Sequence, residues 1–185
     1  MSRRAAFIDR DGVLNEERAF VHRIEDFAFV PGSIEALRAL QAAGYLLVVV
    51  TNQSGIARGL YSETDYLALT VDIRERLAAE GVILDAMEYC PHLPDAPVAR
   101  YRVECDCRKP KPGMLMRAIR ALDIEAASSF LVGDRLSDIE AGRAAGIGRC
   151  FLVRTGYSLT GEALESADGV YDDLRSCASA VLSAQ

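Results

Sequence analysis

The chain has 185 residues, 50% hydrophobic and 26% charged, with 27 acidic against 21 basic side chains and a formal net charge of −6. That length suits one domain, 1–185, burying roughly two thirds of its unfolded surface without staples; no apolar run approaches the roughly 18 residues of a membrane span, and scattered arginines in an acidic chain argue against a nucleic-acid partner. With no secretory apolar core after Met1 to Arg4, no lipidation motif, and an odd count of 5 cysteines that does not read as a disulfide framework, a soluble, cytoplasmic protein is expected.

Ala5 to Asp9 reads as a short buried strand ending at a loop that contains Gly12. Ile34, Leu37 and Leu40 recur at helical spacing over Gly32 to Ala43, with Gly44 as the cap. Leu46 to Val50 is a continuous apolar run, the pattern of a parallel strand covered on both faces, and is expected to stop at Thr51-Asn52-Gln53. Ser62 with Asp65 predicts a capping box for a helix running to about Glu80 and closed by Gly81. Val82 to Tyr89 reads as the third strand.

Residues 90–113 are proline-rich and aperiodic, long for a structureless loop unless functional or stapled. Helical spacing resumes from Met114 to Leu122; Phe130 to Gly133 is a strand ending at Asp134, and Leu136 to Ala145 a helix closed by Gly146. Cys150 to Val153 and Gly169 to Tyr171 read as later strands, and Leu174 to Leu182 as the last helix. Strand and helix alternate without repeat or linker. The expected architecture is therefore α/β, a Rossmann-like open, mostly parallel sheet with helices on both faces. Ligands of such sheets bind beyond the carboxyl ends of the strands, where Asp9/Asp11, Thr51/Asn52 and Asp134/Asp138 fall.

Asp9 and Asp11 place two carboxylates two residues apart. Held close, they require a cation or a shared proton, and with Asp134 arriving from another strand end a hard ion such as Mg²⁺ suits them. A carboxylate can attack phosphorus while a second carboxyl protonates the leaving oxygen and later activates water; the alternative is a solvated acidic turn. Thr51 and Asn52 offer a hydroxyl, an amide and backbone N–H groups to phosphoryl oxygens, or a plain turn.

Cys90-Pro91-His92, then twelve residues, then Cys105-Asp106-Cys107 bring three thiols and an imidazole into one loop. Such a Cys₃His set suits structural zinc and predicts a zinc-stapled loop over residues 90–107; the short C-x-H and C-x-C spacers leave buried free thiols as the alternative. Cys150 and Cys177 read as small core residues and His22 as a surface loop residue. Of the 21 basic residues only Lys109 and Lys111 are lysines, and both flank this loop. A compact ammonium suits one phosphoryl oxygen and a neighbouring carboxylate, while the preceding Arg108 offers a planar fork. Lys111 reads as an exposed charge beside a helix start.

Asp9 to Asn15, Thr51 to Gly59, Cys105 to Pro110 and Val132 to Asp134 together resemble the four motifs of the haloacid dehalogenase superfamily phosphatases, over about residues 5 to 160. With Cys90-Pro91-His92 added, they resemble the subgroup of heptose bisphosphate and histidinol-phosphate phosphatases. The resemblance implies Asp9 as nucleophile, Asp11 as general acid/base, and Thr51 and Lys109 holding the transferring phosphoryl group. It implies Mg²⁺ on Asp9, the backbone carbonyl of Asp11, and Asp134, and Zn²⁺ on Cys90, His92, Cys105 and Cys107. Arg108 would recognise the second phosphate or the sugar end. Glu17, Arg18, Ala19, Phe20, Asn52, Gln53, Ser54, Arg58 and Arg135 would line the substrate pocket. Val13 stands where many relatives have Thr, and Arg135 where Lys is common.

The family lacks a large cap domain, which leaves segments 14–31 and 90–111 to shape the pocket. The implied activity is Mg²⁺-dependent hydrolysis of the C7 phosphate of a heptose 1,7-bisphosphate through an aspartyl phosphate, in nucleotide-activated heptose (lipopolysaccharide core) synthesis. Histidinol phosphate is the alternative substrate. A non-catalytic zinc-stabilised binding module is the alternative of another class. The partner expected is a small phosphorylated sugar, with no membrane and no nucleic acid, acting on a monomer.

Overall fold

In a computed structural model describing residues 3–184, the elements in chain order are β1 (Ala5–Ile8), α1 (Ser33–Ala42), β2 (Leu46–Asn52), α2 (Ser54–Ala57), α3 (Glu63–Ala79), β3 (Ala86–Cys90), α4 (Gly113–Leu122), β4 (Phe130–Gly133), α5 (Leu136–Ala144), β5 (Arg149–Val153), α6 (Gly161–Ser166), β6 (Gly169–Tyr171) and α7 (Leu174–Ser183). The six strands form one wholly parallel sheet in the order β3-β2-β1-β4-β5-β6.

Alternate residues of each central strand enter different cores, as a sheet covered on both faces requires. Ile8, Leu47, Val49, Val132 and Val153 pack under α1, α3 and α7, contributed as Leu37, Leu40, Leu69, Ile73, Leu77, Leu174 and Cys177. Phe7, Val48, Val50, Leu131 and Leu152 pack under α4, α5 and α6, contributed as Met114, Leu115, Ile139 and Ala163. A third cluster, Ile56, Ala57, Tyr61, Tyr66, Ala96 and Tyr101, joins α2 and the start of α3 to the loop after β3. Cys150 and Cys177 are fully buried core residues.

From β1 the chain winds outward through β2 and β3, then returns to the other side of β1 for β4, β5 and β6. The switch point between β1 and β4 opens a crevice beyond the strand ends. Asp9 follows β1 there, its N–H donating to the Val132 carbonyl at 2.9 Å, and Asp134 follows β4.

Most elements lie within a residue or two of their sequence expectation, and Ser62 and Asp65 form the anticipated capping box. Three places differ. β2 runs on through Thr51 and Asn52, which pair with Tyr89 and Cys90 of β3, so these polar residues are strand, not turn. Regular pairing of β3 begins at Ala86 instead of Val82: Val82 and Leu84 are buried, but Asp85 donates its backbone N–H to the Leu47 carbonyl at 2.9 Å and accepts the Leu47 N–H on its side chain at 2.8 Å, so a side chain stands in for the ladder there. The short helices α2 and α6 carry too little periodicity to read from sequence. No described helix is long and apolar enough to cross a membrane.

Candidate active site

The loop after β1 is a tight turn in which the Arg10 carbonyl accepts the N–H groups of Leu14 and Asn15 at 2.9 and 3.0 Å. Gly12 makes this possible. Its φ is +84°, and a Cβ there would lie 2.5 Å from Asp134 Oδ2 and 2.7 Å from Gly156 Cα, so a side chain would drive the β1 loop off β4.

The turn sets Asp9 and Asp11 in different surroundings. Asp9 accepts on Oδ1 from the Arg10 N–H at 2.8 Å and the Lys109 ammonium at 3.0 Å. Lys109, itself buried, also donates to the Val50 carbonyl at 2.9 Å and to Asp138 at 2.5 Å. Its backbone is clamped by Asn52, whose side chain accepts the Lys109 N–H and donates to the Lys109 carbonyl, both at 3.1 Å.

Asp138 Oδ2 accepts the backbone N–H of Asp134 and Arg135 at the start of α5. Asp9, Asp134 and Asp138 thus bring carboxylate oxygens within 4.8 Å of one another, three carboxyl groups against the one ammonium of Lys109. Burial, aided by Asp138, Asp134 and Asp11 and opposed by Lys109, pushes Asp9 well above the usual carboxylate range. Burial and Asp138 raise Asp134 to about 6. Burial would lower Lys109, but Asp138 and Asp9 outweigh it and raise its pKa, so the ammonium keeps its proton. Asp134 Oδ2 accepts the Tyr157 N–H at 2.9 Å, while its buried Oδ1 accepts no hydrogen bond and has only the Arg135 guanidinium 3.9 Å away. A buried carboxylate oxygen without a hydrogen bond, beside two more carboxylates, fits a hard divalent cation.

Asp11 lies outside this trio. Its Oδ1 accepts from Arg10 Nη2 at 2.8 Å and from the Asn15 amide at 3.1 Å, and its Oδ2 from the Gln53 amide at 2.9 Å. Arg10 is wholly buried and also donates to the Val21 carbonyl at 2.7 Å.

Cys90, His92, Cys105 and Cys107 converge beside Lys109, also within 4.8 Å of one another. The pairs Cys90–Cys107, Cys105–Cys107 and Cys90–Cys105 stand 3.1, 3.2 and 3.6 Å apart, and His92 Nδ1 is 3.4 Å from Cys107 Sγ. The sulfurs are not bonded, and their spacing approaches the roughly 3.8 Å edge of a tetrahedron with Zn–S near 2.3 Å. Burial pushes the Cys90 and Cys107 thiols up, so without a cation they keep their protons, and a bound metal would have to displace them. Arg108 Nη1 donates to the His92 carbonyl at 3.3 Å, tying this loop to the crevice.

The crevice encloses a cavity of about 360 Å³ whose walls include Asp9, Asp11, Glu17, Ala19, Phe20, Thr51, Asn52, Gln53, Ser54, Arg108, Lys109 and Arg135. Arg18 and Arg58 are not among them: Arg18 pairs with Glu16 on the surface, and the Arg58 guanidinium lies 5.9 Å from the centre of the Phe20 ring. Ala19 and Phe20 adopt φ of +52° and +60°, an uncommon conformation for non-glycine residues that turns this segment over the cavity. Gln53 lines the wall, but its amide is engaged by Asp11, Thr51 and Tyr61.

Sequence reading did not single out Tyr61 and Tyr157, which also line the cavity, or give Asp138 a role beyond the acidic cluster. Tyr157 carries the Arg135 guanidinium 3.4 Å over its ring. His22 is half-buried and stacks on Tyr61 at 4.7 Å, whereas Lys111 is exposed as expected.

Comparison with known proteins bears on this arrangement directly. The HAD-hydrolase-like family model matches residues 106–177. A D-glycero-β-D-manno-heptose-1,7-bisphosphate 7-phosphatase of Photorhabdus laumondii is 49% identical over 92% of this chain and 90% of its own length. The chain belongs to the D-glycero-β-D-manno-heptose-1,7-bisphosphate 7-phosphatase family. The member from Escherichia coli K12 is 48% identical over 92% of this chain and 89% of its own. Among solved structures, the D,D-heptose 1,7-bisphosphate phosphatase of B. bronchiseptica, complexed with magnesium and phosphate, superposes with a TM-score of 0.83 at 34% identity, covering 98% of this chain and 99% of that one.

Proposed function

We propose that this chain is a Mg²⁺-dependent phosphomonoesterase that hydrolyses the C7 phosphate of D-glycero-β-D-manno-heptose 1,7-bisphosphate, leaving heptose 1-phosphate. The observation that carries the reading is the buried set Asp9, Lys109, Asp134 and Asp138 at the sheet's switch point, with Asp11 held apart from it. The named relatives supply the substrate, including the β anomer.

Asp9 is the nucleophile: both its hydrogen-bonding partners fall on Oδ1, leaving Oδ2 to attack phosphorus. As the Oδ2–P bond forms, the bond from phosphorus to the sugar's C7 oxygen breaks, and Asp11 delivers a proton to that oxygen. Asp11 then takes a proton from water, whose oxygen attacks phosphorus and breaks the bond to Asp9, releasing phosphate. Thr51 and Lys109 hold the phosphoryl oxygens. Asp9, Asp134 and the backbone carbonyl of Asp11 would hold Mg²⁺, which when bound offsets the charge of the acidic trio and of the phosphate. Cys90, His92, Cys105 and Cys107 would hold a structural Zn²⁺. Arg108 meets the far phosphate or the sugar end. Residues 1–185 act as one domain, and since all these residues come from one chain, a monomer suffices.

The test is phosphate release with Mg²⁺ from the α and β heptose 1,7-bisphosphates and from histidinol phosphate, compared as kcat/KM on one preparation. The β heptose should lead; a preference for histidinol phosphate would keep the chemistry and overturn the substrate. Loss of release in Asp9→Asn separates the enzyme from a non-catalytic zinc-stabilised module.

A further inference from the structure

Gln53 hydrogen-bonds both Asp11 and Thr51 through its side chain. Its amide nitrogen donates to Asp11 Oδ2 at 2.9 Å and to Thr51 Oγ1 at 2.8 Å, and its oxygen accepts from the Tyr61 hydroxyl at 2.5 Å. Both N–H groups are used, and all the atoms of the Gln53–Tyr61 contact are buried. An amide carries no intrinsic preference for one orientation over the other. Turned over, it would aim its oxygen at the Asp11 carboxylate and leave that carboxylate without one of its donors.

Tyr61 resists that turn, because its O–H finds its acceptor in the Gln53 oxygen. The ring is itself fixed. It stacks on His22 with an interplanar angle of 6°, and it occupies space that any side chain at Gly55 would fill. A glycine in the middle of the short helix α2 is explained by this ring.

Resting on the phosphatase reading above, we propose that Tyr61 is a positioning residue acting through Gln53. It holds the amide so that Gln53 aims Asp11 at the leaving oxygen and fills an acceptor site of the Thr51 hydroxyl. The hydroxyl's own proton is then directed into the cavity, where it donates to a phosphoryl oxygen. Gln53 accordingly serves Asp11 and Thr51 and does not grip the substrate.

The test is steady-state kinetics of Tyr61→Phe, Gln53→Leu, the double variant and Asp11→Asn, each checked by thermal melting, on whichever phosphomonoester the wild type turns over best. Tyr61→Phe keeps the ring and its stack, so the melting temperature should stay within a few degrees. Its kcat should fall about tenfold with KM within about twofold, the split expected when a group acts on the reacting atoms and not on binding. Gln53→Leu should lose at least as much, and the double variant no more than Gln53→Leu alone, since a residue acting only through another adds nothing once that partner is gone.

Unchanged kcat in Tyr61→Phe overturns the proposal. So does a raised KM at unchanged kcat, which would make Gln53 a substrate contact, and so do losses that add in the double variant. Asp11→Asn as active as wild type would sink the acid/base reading, and this inference with it. A best substrate other than heptose bisphosphate would sink only the substrate assignment.

Discussion

The Lys109 ammonium stands 3.0 Å from Asp9 and bonds Asp138 on its other side, with only 2% of its side chain exposed. It is both the internal counter-ion of the acidic trio and the cation nearest the nucleophile. Replacing it with Met leaves two buried carboxylates unpaired, a loss that costs about 3–5 kcal/mol for buried pairs. For a chain of this size that lowers Tm by roughly 10 °C, and phosphate release should be lost as well. Lys109→Arg should not restore activity, because the planar fork cannot fill the site of a point charge between Val50, Asp9 and Asp138. A Lys109→Met protein with wild-type Tm would show that the pair is dispensable to the fold.

Gly12→Ala tests the close approach of the β1 loop to β4. The new Cβ would meet Asp134 Oδ2 and Gly156 Cα at a positive φ, where a non-glycine residue costs about 1–2 kcal/mol before any collision. Activity should fall by at least about a hundredfold, since the loop carries Asp9 and Asp11, and urea unfolding should show a loss above about 2 kcal/mol. Wild-type kinetics in this variant would mean that the loop moves freely of Asp134.

Local chemistry explains what was legible in the sequence. β4 and β6 begin and end as read because each is a short apolar run bounded by polar or glycine residues, and α3 announces itself through Ser62 and Asp65. The four Cys/His residues are legible because few other roles use that set. What escaped depends on distant neighbours. Thr51 and Asn52 look like a turn until β3 supplies their partners. Asp138 looks like an ordinary first-turn acid until Lys109 arrives from 29 residues away. Arg18 and Arg58 carry charge in the right segments, but Arg18 pairs with Glu16 and Arg58 lies against the Phe20 ring, and neither lines the cavity; contacts of that kind are not written in residue type.

The Asp134 carboxyl, raised to about 6 from 3.8, gives a pH dependence with a definite sign. Between those values the folded metal-free chain holds a proton that the unfolded chain has released, so this group's contribution to stability is greatest below the window and is lost as pH rises through it. Metal-free protein should therefore show a less favourable Tm trend from pH 4 to 6 than Asp134→Asn, in which the group is absent. Mg²⁺ competes with the same proton, so the rise in Tm that it produces at pH 7.5 should shrink below about pH 6 and vanish in Asp134→Asn. Equal pH slopes in the two proteins would remove Asp134 from the account.

The two proposed metals should separate by what their removal disturbs. Cys107 lies two residues before Lys109, and Arg108 between them reaches back to the His92 carbonyl, so zinc would fix the stretch that delivers the ammonium to Asp9. The far end of the loop is held differently: Glu63 accepts the hydroxyls of Tyr89 and Tyr101 at 2.8 and 2.6 Å. Chelating zinc, or Cys107→Ser, should therefore loosen residues 102–109 first. Trypsin cutting at Arg102 and Arg108 should accelerate about tenfold or more, with activity falling in parallel and most of the helical circular dichroism retained. Withdrawing Mg²⁺ should abolish turnover with no change in cutting. Metal analysis of the native protein should find about one zinc per chain. Unaltered cutting after zinc removal would leave the thiols as ordinary core residues and require another explanation for the ordered loop.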